Sequence, residues 1–97
     1  MNEDKLRENL RLYYYGCKYI YSHYGFRNQT QKLLEELNEL KVAIAKDDLQ
    51  NMLEEMADVS VLIDQFTINS QTWEKQIQKI KFAKVQRQVK RINEEGK

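Results

Sequence analysis

Leu33-Leu34-Glu35-Glu36-Leu37-Asn38-Glu39-Leu40 and Met52-Leu53-Glu54-Glu55-Met56-Ala57-Asp58-Val59 repeat one pattern. Every acid of the first segment meets an acid in the second, and every apolar position but one, Ala57 opposite Asn38, meets an apolar one. The apolar residues recur at three- and four-residue spacing, which makes both segments helices. At about 100° per residue, with Glu36 at zero, Leu33, Leu37, Leu40 and Ile44 centre near ~70° and Glu39 falls near ~300°. With Glu55 at zero, Met52, Met56, Val59 and Ile63 centre near ~70° and Asp58 near ~300°. Both glutamates therefore sit on the shoulder of an apolar stripe, while Glu35 and Glu54 lie farther round toward solvent.

Two antiparallel helices packed through such stripes bring both acidic pairs to one side of the seam. Four carboxylates there repel one another, and a partly buried charge is costly unless paired or metal-bound. No Lys or Arg stands four residues after Glu36, Glu55 or Asp58 to neutralise them. Hard divalent cations take oxygen ligands, so an all-carboxylate set without His or Cys suits magnesium, or manganese, better than zinc. Taken singly, either pair would read as ordinary helix surface; the duplication on matching shoulders favours a site.

The rest of the 97-residue chain extends the helical pattern. Proline is absent and there are three glycines, which favours long helices. A first helix is expected over residues 3–23 with Asn2 as its cap, followed by a connection at Tyr24-Gly25-Phe26-Arg27-Asn28. Asn28 is expected to cap a second helix to about residue 45, Asp47 a third to about residue 66, and a fourth should span about residues 72–93. The expectation is a single all-α domain over residues 1–97, a four-helix bundle-like unit, and its short connections make successive helices antiparallel. A chain this short buries a modest core, so completion by oligomerisation is expected.

Net charge is +1, but it is segregated: residues 31–64 hold nine acids and three bases, and residues 75–91 hold seven bases and no acid. On the last helix Ile80, Lys84, Arg87 and Arg91 share one stripe, opposite Phe82, Val85, Val89 and Ile92. If the apolar side packs on the bundle, the basic stripe faces outward, unless a second subunit takes it up. Cys17 is the only cysteine, so no internal disulfide forms. No apolar run approaches the roughly 18 residues of a membrane span, the N-terminus lacks signal-peptide character, and a cytoplasmic location is expected. The tyrosines and Trp73 read as core or interface, and Gln29 falls beside Glu36 on the helical wheel.

The signature Glu35-Glu36-x-x-Glu39, then 15 residues, then Glu55-x-x-Asp58 resembles that of the MazG-like all-α nucleoside triphosphate pyrophosphohydrolases. Tyr24-Gly25-Phe26 with Gln29 looks like the lead-in of the short bacterial and phage members, and residues 79–92 look like their last helix. The resemblance implies magnesium held by Glu36, Glu39, Glu55 and Asp58, with manganese as the other candidate. It implies that Glu35, with Glu36, serves catalysis by orienting or deprotonating water, and that Lys84 and Arg87 bind phosphate. Gln29 and Arg91 are further substrate-contact candidates. The implied reaction is hydrolysis of a nucleoside triphosphate at the α-phosphorus, giving monophosphate and pyrophosphate, by a homodimer or homotetramer. Two other readings stand beside it: a helical interaction module without turnover, and a nucleic-acid binder using the basic helix. No aromatic-basic interleaving accompanies that helix, which ranks the last reading third.

Overall fold

The computed structural model describes residues 2–96. Three helices follow in order: α1 (Glu3–Ala45), α2 (Leu49–Ile68) and α3 (Gln71–Glu95), with no strand among the described residues. Each starts at a side-chain cap. Asn2 accepts from the Lys5 N–H at 2.8 Å, Asp48 from Asn51 at 3.2 Å and Ser70 from Trp73 at 3.2 Å. The second of these corrects the expected Asp47, which instead takes the turn's left-handed conformation at φ 54°.

The expected connection at residues 24–28 shrinks to one residue. Gly25 (φ 85°, ψ 168°) breaks α1, while the residues on both sides stay helical. This backbone region is essentially restricted to glycine. Asn28 therefore does not cap a helix; its Nδ2 donates to the Tyr24 carbonyl at 2.7 Å, across the break. The bend also sets the packing. Tyr13 donates to Asp64 Oδ2 at 2.6 Å, the Tyr21 ring meets Phe66 edge-on at 5.8 Å, and Gln29 bonds Gln65. Residues 13 and 29 would stand about 24 Å apart on a straight helix, yet both meet adjacent residues of α2.

The seam between α1 and α2 differs from the expected one. Gln29, Glu36 and Ala43 are buried on α1, and Leu62, Gln65 and Phe66 on α2. That face is centred on Glu36 and Glu55. The stripe centres at Leu37, Ile44, Met56 and Ile63 are turned outward and stay more than 40 % exposed. Periodicity locates a stripe, but it does not say which helix covers it. Here Leu33, Leu40, Met52 and Val59 are half-buried, and the outer half of each stripe is left uncovered by the three helices.

α3 joins near its start, where the Trp73 ring lies tilted against Phe66 at 6.0 Å and edge-on to Phe26 at 5.7 Å. Beyond it, Phe82, Val85, Val89 and Ile92 are 50–65 % exposed. The expected packing of this apolar side on a bundle is thus not made within one chain. The radius of gyration is 16.9 Å, against about 13 Å for a compact domain of this length. Among the described residues, no helix is long and apolar enough to cross a membrane.

Candidate metal centre

Antiparallel packing of the second half of α1 on α2 places Glu36 and Glu39, one helical turn apart, against Glu55. One carboxylate oxygen from each of the three lies within 4.8 Å of the others. Glu36 is buried, Glu55 half-buried and Glu39 exposed, so the cluster runs from the seam to solvent. Glu36 Oε2 and Glu55 Oε2 are buried, and no donor reaches them among the described residues. Leaving an ionised oxygen buried without a partner is costly, and a cation or a proton relieves it.

The protonation equilibria show that conflict. The facing Glu36 carboxylate, then burial and Glu39, push Glu55 up to about 7. Burial pushes Glu36 up, but its pairing with Glu55 and with Lys32 outweighs this and holds it below the ordinary carboxylate range. Asp58, though exposed, is raised by partial loss of water at the helix seam and by the Glu36 charge. A proton taken up by Glu55 would relieve this repulsion, and a divalent cation held by the same oxygens would relieve it with both glutamates ionised. Oxygen donors alone, of mixed burial and open to solvent on one side, fit a hard ion that keeps waters and binds phosphate.

The other expected residues divide. Asp58 is exposed and outside the three-oxygen cluster, one turn beyond Glu55. It lines, with Glu36 and Glu35, a cavity of about 570 Å³ that opens beside the cluster. Glu35 is exposed at the cavity's edge. Gln29 is buried and lines the same cavity. Lys84, Arg87 and Arg91 lie exposed on the free part of α3, and the chain does not bring them to its own carboxylates.

Two residues of the site were not singled out by the spacing. Lys32 Nζ stands 3.2 Å from Glu36 Oε1 and 3.6 Å from Glu35 Oε2. The absence of a base four residues after Glu36 overlooked one four residues before it. Gln65, seven residues after Asp58 and three after Leu62, falls on the seam face of α2, and this spacing was its available signal.

An all-helical fold that presents a carboxylate trio beside an open cavity offers the oxygen donors that a hard cation takes. The phosphoribosyl-ATP pyrophosphohydrolase (PRA-PH) family profile matches residues 17–93, and the chain belongs to that family. Its members are hydrolases of phosphoric anhydride bonds, all-helical and related to the MazG-like superfamily. The family is typically metal-dependent. No curated protein and no solved structure matches the chain.

Proposed function

We propose that this chain is a magnesium-dependent nucleoside triphosphate pyrophosphohydrolase of the short MazG-like type, cleaving at the α-phosphorus to monophosphate and pyrophosphate. The observation that carries the reading is the pair of donor-less buried oxygens, Glu36 Oε2 and Glu55 Oε2, within a trio of carboxylates. Such an arrangement is poorly stable without a cation and well suited to one. Manganese, with the same preference for oxygen, is expected to substitute.

Glu36, Glu39 and Glu55 hold the ion, and Asp58 completes the set from the cavity side. When bound, the ion neutralises phosphate charge and makes water more acidic. Lys32 keeps Glu36 ionised and oriented. Glu35, exposed at the cavity edge, orients and accepts a proton from the attacking water. Gln29 contacts the substrate in the cavity. Lys84 and Arg87, with Arg91, bind phosphate from a second copy, because the uncovered stripes and the free α3 are covered by assembly into a homodimer or homotetramer. Withdrawal of apolar side chains from water drives that association.

The test incubates purified protein with magnesium and a panel of canonical and modified nucleoside triphosphates, and measures pyrophosphate. The family is named for phosphoribosyl-ATP, so that nucleotide joins the panel. Release of pyrophosphate that stops on chelation supports the reading. A folded protein that releases none from any triphosphate refutes it.

A further inference from the structure

The cavity beside the carboxylates has two chemically different ends. Glu35, Glu36 and Asp58 line one; Ile20, Val61 and Leu62 give the other apolar walls. Into this wall are set Gln29 and Gln65, only 5 % and 2 % exposed. Gln29 Nε2 donates to Gln65 Oε1 at 2.8 Å. That bond uses one carbonyl and one N–H of the pair, leaving Gln29 Oε1 as an acceptor and the Gln65 amide protons as donors for an occupant. Amides this deeply buried are favoured only when bonded, so their unused capacity is directed at whatever fills the cavity.

The occupant this chemistry takes is flat and apolar on its faces, with donors and acceptors on its edge. A phosphate group does not suit that end: among the described residues the one cationic side chain lining the cavity is Lys32, which is tied to Glu35 and Glu36. We propose that the Gln29–Gln65 amide pair reads the hydrogen-bonding edge of a nucleobase and sets the base preference of the enzyme. The bond between the two side chains fixes each amide's orientation, and so fixes the order of donor and acceptor offered to the base. This inference rests on the nucleotide reading given under Proposed function. It adds Gln65 as a specificity-determining residue and gives the cavity to the base, with the phosphates running toward the carboxylates.

The test compares kcat/KM for ATP, GTP, CTP, UTP and ribose 5-triphosphate, which lacks a base, in wild type, Gln65→Met and Gln65→Glu. Circular dichroism checks folding, and the more conservative glutamate variant stands in should the methionine variant not fold. The expected result is a loss of about 10-fold or more for the preferred base, carried mainly by KM, and a levelled ranking among bases. Ribose 5-triphosphate should change less than about 2-fold by the same logic of lost base contacts. An unchanged ranking in the variants, or an equal loss with the base-less substrate, overturns the proposal. Should wild type release no pyrophosphate at all, the reaction assignment fails on its own. The amide pair is then tested by titrating uncharged nucleosides without metal and following chemical shifts. Saturable shifts lost in Gln65→Met support base reading, and no shifts in wild type overturn it.

Discussion

Glu55 is where the site's electrostatic conflict is greatest. In the ion-free protein its carboxyl is pushed from an ordinary 4.5 to about 7, by Glu36 first, then by burial and Glu39. A raised carboxyl contributes stability that is fully present below about 4.5 and lost as pH rises through about 7. Gln cannot ionise, so the melting temperature of Glu55→Gln should rise relative to wild type across that window, and millimolar magnesium should narrow the gap. Thermal melts at pH 5 and pH 8 (about the two sides of the window), with and without magnesium, check this; a gap independent of pH contradicts it. Cys17 offers a second residue-scale test. It is 2 % exposed, and burial pushes its thiol up, so a thiol reagent should react with the native protein far more slowly than with the denatured one. The positions of Glu36 and Glu55 were legible because a duplicated wheel pattern placed both on matching shoulders. Lys32 and Gln65 were not, because each acts through spatial neighbours that no acidic signature names.

α1 carries its architecture in two glycines of opposite effect. Gly25 sits at φ 85° and ψ 168° with open space around the position of a Cβ. Gly25→Ala therefore costs backbone strain and no clash, a destabilisation of about 1–3 kcal/mol. Gly16 lies inside regular helix, again with nothing within 4 Å of an added Cβ. Gly16→Ala should stabilise by about 0.5–1 kcal/mol. Denaturant titration of both variants distinguishes them; loss of stability in both would place the break elsewhere. Helix ends at residues 3, 45 and 95 lie within a few residues of what caps and periodicity indicated. The extent of the break was less legible, since Tyr24-Gly25-Phe26-Arg27-Asn28 carries turn-forming residues but only Gly25 leaves the helix. The rotation of α1 against α2 was illegible in principle. The seam took one edge of each apolar stripe together with the neighbouring glutamate, so it is mixed: Ala43, Leu62 and Phe66 are buried beside Gln29, Glu36 and Gln65.

For the whole molecule, the largest unresolved cost is apolar surface in water. Leu37, Ile44, Met56 and Ile63 on the bundle, and Phe82, Val85, Val89 and Ile92 on α3, are all at least 43 % exposed. Patches of this kind mark interfaces, and the account expects a homo-oligomer by light scattering on a sizing column. Val85→Glu with Val89→Glu should lower the oligomer mass and, by withdrawing the basic stripe from a neighbour's site, raise KM for the triphosphate several-fold by lost phosphate contacts. An unchanged mass would place the interface off α3. The all-α class was legible because helix formers and helical spacing agree along the chain; the assembly was not, because a sequence shows which residues are apolar but not which copy covers them. The central claim is that the seam carboxylates hold the ion that drives hydrolysis. The most direct measurement is magnesium-dependent pyrophosphate release by wild type and Glu36→Gln, alongside magnesium binding by calorimetry and helicity by circular dichroism. The expected result is intact helicity, magnesium affinity weakened about 10-fold or more, and turnover lowered at least about 100-fold. Unchanged turnover and magnesium affinity in a folded Glu36→Gln protein would contradict it.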